Sequence, residues 1–125
     1  MFEMDLNDEV LINRIWNKGT IVEGYDSNLF RKDPAGAWIA RSEYGNRESK
    51  FGWEIDHVYP KALGGDDQEI NLRPMQWQNN LSKGDSYPDY IAVVQSDDNH
   101  NIDRNSARLV RKELQYQLAT LYNIK

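Results

Sequence analysis

The chain has 125 residues, with 20 acidic side chains against 15 basic ones and a net charge of −5. That is the size of one domain, expected to span residues 1–125, and it lacks the general basic surface of a polyanion binder. No apolar run approaches the roughly 20 residues that cross a bilayer, and Met1-Phe2-Glu3-Met4-Asp5 lacks the basic start and apolar stretch of a signal peptide. With no cysteine there is no disulfide framework, which fits a reducing cytoplasm, the expected location.

Asn7 reads as a helix N-cap, with Asp8 and Glu9 in the first turn and Leu6 and Leu11 as a hydrophobic staple. Val10, Leu11, Ile12, Ile15 and Trp16 form an apolar stripe, and Gly19 stops a helix expected over about 7–18. Residues 20–35 look irregular. Ala37 to Ala40 is a short strand candidate, Gly45-Asn46 a turn, and Phe51 to Val58 a strand rich in aromatic and branched residues. Strict alternation places Trp53, Ile55 and His57 on one face and Glu54 and Asp56 on the other, so a bend is needed before Asp56 and His57 can serve one site. Residues 61–70 read as a loop, Asn71-Leu72-Arg73 as a short strand, and Pro74 as the first turn of a helix ending near Lys83-Gly84. Residues 86–101 look loop-like apart from Ile91 to Val94. Ala107, Val110, Leu114, Leu118, Leu121 and Tyr122 recur at helical spacing, predicting a helix over about 104–122 capped by Asp103 or Asn105.

Between Trp53 and Asp85 lie Asp56-His57, Pro60, Gly64-Gly65, Asn71-Leu72, Trp77, Asn79-Asn80 and Lys83-Gly84-Asp85. This run resembles the HNH endonuclease family, also called His-Me finger or ββα-metal nucleases, as an H-N-N variant reading His57, Asn71, Asn80. A looser likeness extends upstream through Arg31-Lys32-Asp33, Gly36 to Ile39 and Tyr44-Gly45. The resemblance implies an α+β fold with a ββα-metal core at about 51–85 and flanking N- and C-terminal helices.

It also implies metal-dependent hydrolysis of DNA phosphodiester bonds, leaving a 5′-phosphate and a 3′-hydroxyl. His57 is then the general base, and Asp56 and Asn80 are the ligands of one divalent cation. Asn71 is a brace bonded to the loop backbone, and Lys83 a phosphate contact one helical turn beyond Asn80. A carboxylate and an amide oxygen are hard donors that suit Mg²⁺, with Mn²⁺ expected to substitute. Asn79 competes with Asn80; the Asn-x-x-Lys spacing favours Asn80. Arg41, Arg47 and Lys61 join Lys83 as expected nucleic-acid contacts. Family members that carry Cys-x-x-Cys pairs hold a structural zinc; this chain has none, and Trp38, Trp53 and Trp77 are the expected replacement as buried supports.

Charge is unevenly placed. Residues 1–30 carry six acidic and two basic side chains, 31–85 nine and eight, and 86–125 five of each, so the acid lies mainly outside the motif. Asp66-Asp67 reads as a solvated turn, His100 as a solvated loop residue, and Arg104, Arg108, Arg111 and Lys112 as the outer face of the last helix. Glu54 is either an outer group near the metal or an exposed strand position. A small nuclease has little surface for base readout, so weak sequence preference is expected unless a homodimer or protein partner adds affinity. Two alternatives stand beside this: a catalytically silent nucleic-acid or protein interaction module on the same scaffold, and a nuclease acting on RNA or branched nucleic acid.

Overall fold

Helix α1 (Glu9–Trp16) begins one residue later than Asn7 would start it. The Asp8 carboxylate caps it by accepting from Val10 N at 2.8 Å, while Asp5 takes the Asn7 amide. The computed structural model describes residues 2–125, and these have mixed α+β content, with three α-helices, three short 3-10 turns and three two-stranded antiparallel sheets. Strands β1 (Phe30–Lys32) and β2 (Trp38–Ala40) pair first, followed by β3 (Trp53–His57) with β4 (Leu72–Gln76), which runs directly into α2 (Trp77–Lys83). A longer hairpin, β5 (Asp89–Asp97) and β6 (His100–Leu109), precedes α3 (Lys112–Tyr122).

The β3–β4 hairpin is the middle layer. Trp53, Ile55 and Leu72 pack with Leu11, Ile12, Ile15 and Trp16 of α1. Val58 and Met75, on the opposite face by strand alternation, join Tyr90, Ala92, Val110, Leu114 and Leu118 in a second cluster. Trp53 is fully buried between Trp16 and Tyr44, at ring separations of 5.3 and 4.8 Å. Trp38 is buried as well, whereas Trp77 is only half-buried and spends its indole N–H on the Ser49 carbonyl.

Pro74 lies inside β4, opposite Ile55, not in the first turn of a helix. The bonds Val58 N to Asn71 O and Trp77 N to Gly52 O fix which residue pairs exchange ladder bonds, and Ile55–Pro74 falls between them. A missing N–H therefore costs the ladder nothing. It also suits the outer edge of β4, where Lys18 Nζ takes the Leu72 carbonyl at 2.7 Å and the buried Asp33 takes the Gln76 amide at 3.0 Å. Asp33 further accepts from the amides of Ala35 and Ala37 and from Asn79 Nδ2. Burial still holds its carboxyl above the ordinary value, those hydrogen bonds acting the other way.

The C-terminal region departs most from expectation. Residues 86–101 hold the whole of β5 and the start of β6, and the buried β5 positions Tyr90, Ala92 and Val94 alternate with more exposed ones. Asp103 and Asn105 lie in β6, so the last helix covers only 112–122. Arg104 and Arg108 are strand residues, Arg111 sits at the helix boundary, and the four cations share no helical face. His100 opens β6 and is exposed. Among the described residues no helix is long and apolar enough to cross a membrane.

Candidate active site

Strand β3 delivers Glu54 and Asp56 to the face covered by α2, in step with the helix. Asn80 Nδ2 donates to Glu54 Oε1 at 3.0 Å, and one turn later Lys83 Nζ lies 3.3 Å from Asp56 Oδ1. Arg73 stands directly across the hairpin from Asp56, and its Nε donates to Asp56 Oδ2 at 2.9 Å. Asp56, Arg73 and Lys83 thus form a buried ion triad, with Asp56 3% and Lys83 1% exposed. Lys83 also donates to the His57 carbonyl at 3.1 Å. Lys83, expected as a phosphate contact, is enclosed here, and its ammonium faces Asp56. Burial pushes it below its ordinary pKa, Asp56 opposes that, and Arg73 adds to it.

His57 ends β3 on the other face, where the chain bends. Its Nε2 lies 2.7 Å from Asp67 Oδ1. An ionised carboxylate only accepts, so Nε2 carries the proton and Nδ1 presents the lone pair. Asp67 is 2% exposed and not part of a solvated turn. Burial works against its charge, but the Met4 amide at 2.8 Å, the His57 ring and Lys61 at 3.6 Å outweigh it and hold the carboxyl below the usual value. Nothing in the local sequence marks Asp67, because ten residues of turn separate it from His57. Its one signal is that a carboxylate sits in the loop that must return to Asn71.

That return is fixed by Asn71, which is wholly buried. Its Oδ1 accepts from Tyr59 N at 2.7 Å, and its Nδ2 donates to the carbonyls of Tyr59 and Asp66, each at 3.0 Å. Gly65 is required there: a Cβ would stand 1.8 Å from Tyr59 O. Asp66 accepts from Phe2 N at 3.0 Å and from the Tyr122 hydroxyl at 2.6 Å, so both chain ends hold the loop.

Asp56, His57, Asn80, Lys61 and Asp85 line one open cleft of about 260 Å³. Asn79 does not reach it. Fully buried, it accepts from Val93 N and Val94 N and donates to Asp33 and the Val94 carbonyl. Glu54 is partly buried and joins Asn80 to Arg47, whose guanidinium pairs with it at 2.7 Å and lies over Trp77. Arg41 is away from the cleft, pinned to Glu9 and Asn13 of α1. Of the four expected nucleic-acid contacts, Lys61 alone lines the cleft.

The oxygen donors around this cleft are the carboxylates of Asp56 and Asp85 and the amide of Asn80. All are hard, the donor class that Mg²⁺ takes. Asp56 enters the set already paired, but a carboxylate offers about four acceptor sites and the Lys83 contact is long. No family model, curated protein or solved structure matches the chain.

Proposed function

We propose that the chain is a metal-dependent endonuclease of the HNH type that hydrolyses DNA phosphodiester bonds, with β3, β4 and α2 as its ββα-metal core. One observation carries this: Asp56, His57 and Asn80 meet on a single cleft where a β-hairpin passes straight into a helix. A bound Mg²⁺ neutralises the charge that attack builds on the phosphate. Asp56 and Asn80 would hold it, with Asp85 on the same cleft wall.

The side chains divide the remaining work. His57 takes the proton of the attacking water at Nδ1, the ring nitrogen left free by the Asp67 bond. Asp67 stabilises the imidazolium that results and keeps the ring from rotating, the role of the aspartate in a Ser-His-Asp triad. Asn71 and Gly65 hold the loop that carries Asp67. Glu54 fixes the Asn80 amide by accepting from its nitrogen, which leaves the oxygen for the cation.

A second reading, a nucleic-acid interaction module without catalysis, is favoured by the pairing of both Asp56 oxygens with buried cations. Incubation of supercoiled plasmid with Mg²⁺ or Mn²⁺ separates the two. The nuclease nicks or linearises it, and chelator or His57→Ala abolishes cutting. Cutting by His57→Ala at the wild-type rate would remove the assigned base. DNA binding by a wild-type protein that never cuts would select the silent module.

A further inference from the structure

The acidic chain contains one groove of opposite character. It measures about 1010 Å³ and lies beyond the free edge of β4, walled by β6 and α3. Lys18, Lys32, Arg73, Arg108 and Arg111 line it against a single carboxylate, Glu69. Glu69 is already bound to Arg14, at 2.6 Å. Lys18 holds the carbonyls of Glu69 and Leu72.

The other cations serve the fold less. Arg108 Nε reaches Ser106 Oγ at 3.0 Å, and Lys32 sits over the Trp38 ring at 4.9 Å. Arg111 has a 3.4 Å contact with Glu113, but their side chains are 66% and 76% exposed, a geometry that contributes little. Arg73 gives one nitrogen to Asp56 and leaves Nη2, which is buried, with no hydrogen-bond partner. Five like charges gathered around a single groove carboxylate repel one another, and the pairs with Glu113 and Asp56 leave Lys32 and Arg108 without an acidic partner among the described residues. The grouping makes sense if an anion completes it.

We propose that this groove is the track for a nucleic-acid strand, its phosphates meeting Lys32, Arg108 and Arg111. Three features favour a strand over a compact anion. The volume lies at the upper limit of small-molecule pockets, about 1000 Å³. Ile70 and Leu109, both exposed, set apolar surface among the cations, as a chain of alternating phosphates and flat bases requires. Arg73 lines the groove and bonds Asp56, which lines the cleft, so one side chain separates the two, a span that suits a strand better than a compact anion. The choice of nucleic acid over another polyanion rests on the nuclease reading.

The test is binding of a fluorescent 20-nucleotide strand, single or paired, by anisotropy in chelator, where nothing is cut. Lys32→Gln/Arg108→Gln/Arg111→Gln should weaken binding at least roughly tenfold and lower the slope of log K against log salt by about 2 to 3, since each phosphate contact contributes about 0.7–0.9. A control that removes the same charge elsewhere, Arg104→Gln/Lys112→Gln/Lys125→Gln, should shift it far less. Arg108→Lys/Arg111→Lys, which keeps the charge, should retain most of the affinity and guards against a folding defect. Equal binding by the groove variant and wild type would overturn the proposal, as would tight binding of a nucleoside triphosphate with none of the strand. Groove-dependent binding without plasmid cleavage leaves the track standing and ends the nuclease. Cleavage with unchanged KM in the groove variant does the reverse.

Discussion

Replacing Asn71 by aspartate should harm the protein more than replacing it by alanine, although aspartate is the closer shape. In Asn71→Ala the Tyr59 amide and the carbonyls of Tyr59 and Asp66 lose their partner together. A buried polar group left unsatisfied costs about 1–3 kcal/mol, and water entering the vacated space recovers part of it, so a loss of about 3–5 kcal/mol follows. In Asn71→Asp the Tyr59 amide keeps its acceptor, but an oxygen now faces two carbonyl oxygens that the amide nitrogen held at 3.0 Å. The carboxylate is repelled and wholly buried, so its folded pKa must rise above the unfolded value of about 3.9. The sign follows: the folded state prefers the neutral acid, which can donate to one carbonyl, and stability falls as pH rises above about 4, by up to roughly 1.4 kcal/mol per unit. Urea unfolding at pH 4.5 and pH 7 measures this. Asn71→Asp should lie near Asn71→Ala at pH 4.5 and well below it at pH 7, close to unfolded if the parent has the usual 5–15 kcal/mol. Equal stability of the two variants at pH 7 would mean that the amide does not point its nitrogen at those carbonyls.

Two further outcomes follow from buried groups. Burial, and after it the Asp66 hydrogen bond, push the Tyr122 hydroxyl up to about 12, so its bonding supports the fold below the unfolded value near 10 and is lost as pH rises through about 12. Tyr122→Phe should cost about 1–2 kcal/mol at pH 7, and melting curves should show its deficit shrinking between pH 10 and pH 12; a constant deficit would exclude the Asp66 bond as the cause. Asp56→Ala leaves Arg73 and Lys83 facing each other without an anion and should cost about 3–5 kcal/mol. Lys83→Met keeps the shorter Asp56–Arg73 pair and relieves a buried ammonium, so it should fall within about 1 kcal/mol of wild type; the opposite ranking in chemical denaturation would show that Lys83 is the main counter-charge.

What the sequence disclosed and what it hid have physical causes. Helix α1 and strand β3 carry their instructions locally, in a capping residue and in periodic apolar positions, and both lie close to where the pattern puts them. The Asp56–Arg73 pair is not legible in that way, because it depends on the register of β3 with β4, which lies in the tertiary pairing and not in local pattern. The β5–β6 hairpin was harder. Its inner strand alternates, and Asp98, at φ 53°, makes the left-handed turn its Asp-Asn dipeptide suits, but β6 is almost wholly polar because its outer face meets solvent. Leu114 and Leu118 do share a helical face, and their spacing extends backward through Val110 and Ala107, outside the helix, by coincidence. Asp67 could not be read from periodicity at all, because it sits in a loop shaped by tertiary contacts.

Those contacts alter what counts as the site. A connection like 58–71, mostly short turns with no strand or α-helix of its own, would ordinarily be among the mobile parts of a small protein. Here the Phe2 carbonyl takes the Asp67 amide at 2.9 Å and the Met4 amide gives to its carboxylate at 2.8 Å. From the other end of the chain Tyr122 bonds Asp66 and stacks on Tyr59, with ring centres 5.5 Å apart. The residue that orients His57 is therefore held by residues 2–4 and by the last turn of α3, both outside the motif that suggested a function. In a chain without cysteine, these segments and Asn71 do the fixing. The angle of the His57 ring is set by contacts from both flanking segments, so a fragment holding only residues 51–85 would keep every motif residue and lose the bonds that hold Asp67 against the His57 ring.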